Sequence, residues 1–317
     1  MQLDPQVYAF YEKNIKSRGF VPPALDVREM RKAADAAFND KTQILPIYKW
    51  EEVRAEDLRM RIYTPHRGLD PEKGRKLPDP GAPVLIYFHG GGFIMHNVES
   101  HDALCRKLAV TLGWYVVSVD YRLAPEYPYP AAVEDAEKAR RWARENAAER
   151  GWDPDRIYAG GDSAGATISS ALALKLRDRG EENLKGLLLL YGSYHAEEVM
   201  ETDSGRAFSG GDYVLPREML EYCESLYAGE HADPADPYYC PGRETDLENF
   251  PPCVIVHGGC DPLRDDGISF ARKLKKCKND VHEILAEGMM HGFALYWWRF
   301  RRGEEILLEA CRELNKR

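Results

Sequence analysis

The stretch "IYAGGDSAGATIS", Ile157 to Ser169, decides how this chain is read. Inside it, Gly161-Asp162-Ser163-Ala164-Gly165 fits G-x-S-x-G, a sharp strand-to-helix turn whose small flanking residues let a strained serine project its hydroxyl. A helix-capping serine would satisfy the same five letters. The surroundings separate the two readings, because the strand-like "RIYAGGD" precedes Ser163 and the helix-like "AGATISSALALKLRDRG" follows it.

Working outward, short apolar runs alternate with helical patterns, the signature of strands laid parallel with crossover helices. "ILPIYKW" and "RMRIYTP" begin the series, and "VLIYFH", "WYVVSVDY", "RIYAGGD", "GLLLLYG", "CVIVHGG" and "VHEILAEG" continue it. Helices are predicted over "AAVEDAEKARRWARENAAER", over the run after Ser163, and over "ALYWWRFRRGEEILLEACREL". Two stretches break the rhythm. Residues 1 to about 45 carry helical periodicity in "PQVYAFYEKNIKS" and "DVREMRKAADAAF" with no strand between. His195 to Thr245 is polar and too long for an ordinary connection, so it reads as a lid, with one helix in "PREMLEYCESLYAG".

A serine hydroxyl is a poor nucleophile near neutral pH and needs a base, oriented in turn by a third group. Of nine histidines, His66, His96, His101, His195, His231 and His282 sit in polar or loop surroundings and read as solvated. His89 opens a glycine run and reads as a brace for it, and His257, at the end of a predicted strand, reads as core. His291 in "EGMMHGF" remains, just after the last predicted strand. Among the acids, Asp261 in "VIVHGGCDPLRDDG" lies just beyond the penultimate strand, whereas Asp265 and Asp266 read as first-turn acids of the next helix. Asp162 is nearer to Ser163 in sequence, but neighbouring side chains at such a turn diverge. Ser163, Asp261 and His291 therefore occur as nucleophile, acid and base, the chain order of an α/β hydrolase.

"YFHGGGFIM", Tyr87 to Met95, completes the pattern. Attack on an ester makes the carbonyl oxygen negative, and donors fixed in advance around it lower the barrier. Side-chain bulk would keep backbone N–H groups away. Gly90, Gly91 and Gly92 can bring theirs close, while the N–H of Ala164 approaches from the other side.

The set "HGGGF", "DYRLAPEYPYPAAVED", "GDSAG", "DPLRDDG" and "MHGF", in this order, resembles the hormone-sensitive-lipase family of α/β hydrolases, which includes bacterial carboxylesterases and arylacetamide deacetylases. The likeness covers about residues 50 to 317. It implies a mostly parallel eight-stranded sheet with helices on both faces and a helical cap. By resemblance, 46–194 and 246–317 form the catalytic domain, and 1–45 with 195–245 form the cap. It implies Ser163, Asp261 and His291 as the triad and Gly91, Gly92 and Ala164 as oxyanion donors, with His89 and Gly90 supporting the loop. The implied reaction is hydrolysis of short-chain acyl esters through an acyl-enzyme. Amide, formamide or acetyl-group hydrolysis by the same triad is the alternative. A non-catalytic receptor of the same fold is a further one, set against by the presence of His291. In "DYRLAPEYPYPAAVED", Arg122, Glu126, Glu134 and Asp135 read as an ion-pair network positioning a strand end. Tyr194, Tyr213 and Tyr222 read as walls of a small pocket or as cap packing.

Composition limits the partners. A formal charge of −9 over 317 residues argues against nucleic acid or an anionic membrane, which are bound through excess Lys and Arg. The amino-terminal segment has no apolar core of signal-peptide length, and no apolar run approaches a membrane span. Seven cysteines, none in a C-x-x-C pair, point to buried thiols in a reducing compartment rather than a zinc site or a disulfide framework. A cytoplasmic enzyme with a small-molecule ester substrate, no cofactor and no metal is expected, with room for a homo-oligomer.

Overall fold

The computed structural model describes residues 2–14, 16, 26–38, 44–66, 69–70, 74–75, 78, 80–210, 213–230 and 232–317. Among them an eight-stranded sheet runs in the order β1-β2-β6-β5-β7-β8-β9-β10. Its strands are β1 (Lys49–Ala55), β2 (Leu58–Thr64), β5 (Ala82–Phe88), β6 (Tyr115–Val119), β7 (Trp152–Asp162), β8 (Leu187–Leu190), β9 (Cys253–Cys260) and β10 (Val281–Met290). The two-residue strands β3 (Leu69–Asp70) and β4 (Gly74–Arg75) form a separate ribbon. Pairing is antiparallel for β1 with β2 and β2 with β6, and parallel from β6 to β10.

The helices are α1 (Pro5–Asn14), α2 (Val27–Phe38), α3 (Asp102–Leu112), α4 (Ala131–Glu145), α5 (Ala147–Arg150), α6 (Ala164–Asp178), α7 (Asp203–Phe208), α8 (Arg217–Ala228), α9 (Arg264–Lys276) and α10 (Arg301–Leu314). They cover both faces, and β5 shows why. All seven of its residues are buried, with Val84, Ile86 and Phe88 in one apolar cluster and Leu85 and Tyr87 in the other. The first cluster takes in Ala136 of α4, Leu172 of α6 and Phe270 of α9; the second takes in Leu108 of α3 and Leu307 of α10. A strand covered on both sides reads as a continuous apolar run, and each fully buried Val, Leu, Ile or Phe contributes about 1.5–3 kcal/mol.

Several elements differ from the sequence reading. The first strand is Lys49–Ala55, not residues 44–50: Pro46 interrupts the earlier run, and pairing is set by a tight turn at Glu56 (φ 58°) that aligns Ala55 with Leu58. The final helix is broken, with a 3₁₀ turn at Phe293–Tyr296 and an extended Phe300 before α10. Phe300 sits with its ring buried against Phe10 of α1, centroids 5.4 Å apart. Helix α3 was not expected, although Leu104, Cys105, Leu108, Ala109 and Leu112 bury one face and Gly113 (φ 70°) ends it. The parts of the expected cap at residues 17–25 and 39–43, much of the loop before β5, and His231 lie outside the described residues.

The two stretches without strands attach to this body at different points. Asp4 N–H donates to Gly288 O of β10 (2.9 Å), holding α1 against the sheet edge. Helix α2 is tied by Arg31, whose guanidinium donates to Ile94 O (2.7 Å), Ala124 O (2.8 Å) and both Glu126 oxygens. Glu126 thus serves α2, while Arg122 pairs with Asp135 (2.9 Å) and Glu134 (3.0 Å) as expected. Between β8 and β9 lie α7 and α8. The seven cysteines are free, six of them buried. Among the described residues no helix is long and apolar enough to cross a membrane, and no cluster of three or more His, Cys, Asp or Glu could hold a metal ion.

Candidate active site

Ser163 follows the last residue of β7 and precedes the first of α6. Its backbone lies at φ 52° and ψ −122°, a conformation that costs a non-glycine residue of order 1–3 kcal/mol and persists only where the surroundings enforce it. The neighbouring glycines show the enforcement. A Cβ on Gly161 would lie 2.4 Å from Phe88 O, and one on Gly165 only 1.9 Å from the same atom, so the end of β5 and the start of α6 touch as bare backbone.

Asp261 follows β9 and His291 follows β10, so both occupy strand ends like that of Ser163. His291 Nε2 is 3.0 Å from Ser163 Oγ, and His291 Nδ1 is 2.7 Å from Asp261 Oδ2. Asp261 is fully buried, and its other oxygen accepts the N–H of Leu263 (2.9 Å). Because a carboxylate can only accept, Nδ1 carries the proton and Nε2 is left to accept from the serine. The ring of Tyr191 stands edge-on to His291, centroids 5.1 Å apart. A hydroxyl, a base and an orienting acid are thus in hydrogen-bond contact.

The glycine run follows β5. Gly91 (φ 119°) and Gly92 (φ 59°) lie where side chains are disfavoured, and a Cβ on Gly92 would meet Cys223 Sγ of α8 at 2.4 Å. Gly90 differs, because its N–H donates to Asp162 Oδ1 (3.0 Å) and is spent on holding the loop. His89 is fully buried, with Nδ1–H on Gly90 O (2.8 Å) and its ring stacked on Tyr121 at 4.2 Å. Burial and the nearby His101 push the His89 imidazole down to about 3, which removes it as a base at neutral pH. Ala164 opens α6, where the first N–H groups have no partner inside the helix.

A cavity of about 350 Å³ joins these groups, bringing Gly91, Gly92, Ser163, Ala164 and His291 to one surface. Its wall is mainly apolar: Phe93, Met95, Val214, Leu215, Met219, Leu220 and Leu295, with Ala34 from α2. Of the two roles read for Tyr194, Tyr213 and Tyr222, cavity wall or packing, they take the second. Tyr194 is fully buried and stacks on Phe270 (4.4 Å), and Tyr213 meets Phe208 (5.0 Å); Tyr222 packs at the edge of the core, and Tyr296 lines the cavity instead.

The histidines need correcting too. His101 is fully buried beside Asp162, not solvated, and His96 and His195 are half-buried in the cavity wall. Burial first, then His101, lowers His96 to about 3. His257 lies inside β9, buried beside Glu283 (3.3 Å). Asp266 does open α9, but its buried carboxylate also accepts the N–H groups of Tyr194, Ala196 and Glu197, fixing the chain that leaves β8. Sequence reasoning passed over Arg31 and His101 as parts of the site's surroundings; the Ile94 carbonyl and the Asp162 carboxylate that they reach lie 63 and 61 residues away, beyond any local pattern.

A profile described as alpha/beta hydrolase fold matches residues 85–295. The chain is 41% identical over 218 residues to an esterase, LipI, of Mycobacterium tuberculosis, covering 68% of this chain and 67% of that one. It is 34% identical over 280 residues to a carboxylesterase, NlhH, of the same species, covering 85% and 83%. An ethyl acetate hydrolase of Pseudomonas putida is 33% identical over 216 residues, 68% of this chain and 67% of its own. Among solved structures, a hyperthermophilic esterase from the archaeon Pyrobaculum calidifontis superposes with a TM-score of 0.90 at 32% identity, covering 100% of this chain and 99% of its own. Fold, match and relatives agree, and the chain belongs to the hormone-sensitive-lipase-like family of α/β hydrolases.

Proposed function

We propose that this chain is a cofactor-free serine carboxylesterase acting on short-chain acyl esters, with Ser163 as nucleophile, His291 as base and Asp261 as the acid that orients it. The observation that carries the reading is the unbroken contact from Ser163 Oγ to His291 Nε2 (3.0 Å) and from His291 Nδ1 to Asp261 (2.7 Å). His291 takes the hydroxyl proton as Ser163 attacks the acyl carbon. The carbonyl oxygen becomes negative against the N–H groups of Gly91, Gly92 and Ala164. The alcohol leaves with the proton held on His291. Water then gives a proton to the same nitrogen and attacks the acyl-enzyme, which releases the acid and restores Ser163. Asp261 keeps Nδ1 protonated and stabilises the imidazolium throughout.

In the same reading, 1–45 and 195–245 form the cap and 46–194 with 246–317 the catalytic domain; cavity walls drawn from α2 and α8 support that division. A reducing, cytoplasmic setting is supported by seven free thiols. The experiment is Ser163→Ala assayed on p-nitrophenyl butyrate, with a phosphonate label mapped by mass spectrometry. Turnover is expected to fall by about 10⁶ with the fold intact, and the label to sit on Ser163. A variant keeping a tenth of the activity would refute the assignment.

A further inference from the structure

The mechanism above makes no use of Asp162, which is 2% exposed and immediately precedes the nucleophile. Its Oδ1 accepts the Tyr87 hydroxyl from β5 (2.7 Å) and the Gly90 N–H (3.0 Å), and lies 3.1 Å from His101 Nε2, which itself stands 3.3 Å from the Gly90 N. Burial alone would push this carboxyl up, but His101 and the Tyr87 bond outweigh it and hold it at about 2, so it is ionised at neutral pH. A bare negative charge next to a serine that must lose its proton, and near a carbonyl that becomes negative, would oppose both steps. Its cost is met by the Tyr87 hydroxyl and the Gly90 N–H, with the His101 imidazole beside them.

His101 is the one of these that belongs to neither the glycine run nor the strand feeding it. It immediately precedes α3 and is fully buried. Its other nitrogen is 3.0 Å from Ser100 Oγ, which accepts the Asn97 N–H (3.1 Å) and lies 2.8 Å from the Asn97 carbonyl; with Nε2–H on Asp162, Nδ1 accepts the Ser100 hydroxyl. The imidazole is therefore held from one side while it faces Asp162 from the other. Gly90 has no slack against the same carboxylate, since a Cβ there would lie 2.6 Å from Asp162 Oδ2.

We propose that His101 is a positioning residue for ester hydrolysis: by donating Nε2–H to Asp162 it keeps that carboxylate gripping the Gly90 N–H, which sets the Gly91 and Gly92 N–H groups where the oxyanion forms. The proposal rests on the reading of Ser163 as nucleophile and of the glycine run as oxyanion donors. It differs from a merely structural role in where the damage falls. Loosening the loop weakens binding of the transition state and leaves the apolar cavity that holds the ground-state ester in place.

The test compares His101→Ala, His101→Gln and Tyr87→Phe with the parent protein on p-nitrophenyl butyrate. Alongside turnover, the affinity of a trifluoromethyl ketone is measured, because its adduct with the serine places an oxyanion in the same hole. Active sites are counted with a phosphonate label. For His101→Ala, kcat is expected to fall about 10- to 100-fold with KM within about twofold, and ketone affinity to fall by the same factor. His101→Gln, which keeps an N–H donor, is expected to recover most of the loss, with Tyr87→Phe between. Should His101→Ala not fold, the other two retain the bulk and carry the comparison. Unchanged kcat, a loss confined to KM, or unchanged ketone affinity would overturn the proposal. If the label lands on a residue other than Ser163, the reading of the site has failed; a label on Ser163 with parent-like turnover in the His101 variants overturns the positioning role alone.

Discussion

Replacing Gly90 with alanine tests how tightly the glycine run is seated on the nucleophile strand. The added Cβ would stand 2.6 Å from Asp162 Oδ2 and 2.9 Å from Asp162 O. Ordinary carbon contacts begin near about 3.5 Å, so one side has to give by about 0.9 Å. Asp162 is poorly placed to give. Its carboxylate is held by Tyr87, Gly90 and His101, and its carbonyl belongs to β7, paired with β8 through Asp162 and Leu190. The glycine loop therefore moves, carrying the Gly91 and Gly92 N–H groups away from the oxygen they face in the transition state.

A misplacement of about 1 Å costs about 10²-fold, and loss of a single oxyanion donor costs about 10²–10³-fold. Gly90→Ala is thus expected to lower kcat by about 10²-fold, close to 2.7 kcal/mol in the barrier. KM for butyrate should change little, because the apolar wall is made by other residues. Overpacking costs about 1–3 kcal/mol of stability, so the melting temperature should fall while the unfolding transition stays cooperative. Steady-state kinetics normalised to labelled active sites, with calorimetry on the same samples, gives both numbers. A kcat within threefold of the parent would show that the loop has slack or contributes no donors, and would refute the reasoning.

Three further outcomes are expected. Arg31→Ala removes the link from α2 to Ile94 O and Ala124 O, so KM for butyrate should rise several-fold through the loosened Ala34 wall while kcat holds; a fall in kcat alone would contradict this. Asp162, lowered to about 2 in the fold against about 3.9 in an unfolded chain, contributes stability that is fully present above the unfolded value and lost as pH falls through about 2. Melting temperature should therefore drop from about pH 4 downward, and Asp162→Asn should flatten that limb. On a p-nitrophenyl series, each methylene gains about 0.8 kcal/mol only while it is buried, so kcat/KM should peak at or below about eight carbons in a cavity of about 350 Å³. Sustained action on hexadecanoyl esters would sink that expectation.

The parts legible in the sequence are those whose physics is local. A strand end, a strained turn and a helix start lie within a dozen residues around Ser163, and each constraint there leaves a residue type behind: Gly161 and Gly165 because Phe88 O leaves no room for a Cβ. Asp261 and His291 could be ordered against Ser163 because each follows a readable strand, and a parallel sheet brings such ends to one edge. Pairing registers were less accessible. The first strand shifted toward the turn at Glu56 because alignment with β2, not hydropathy, sets its limits.

Polar residues buried by distant partners left the least trace. His101 sits in "VESHDAL", among residues that look solvated, and it joins the core through the rings of Tyr87 and His89 and through Asp162, 61 positions later. Arg31 is likewise a helix-surface cation in sequence, yet it joins two loops 63 and 93 residues away. Such a residue carries no local signal because its burial is compensated by hydrogen bonds that only the tertiary fold supplies. Around a nucleophile this has a particular consequence. The groups that do chemistry must face the cavity and recur at strand ends, whereas those that hold them still come from any part of the chain, so the structure adds most where the sequence pattern is weakest.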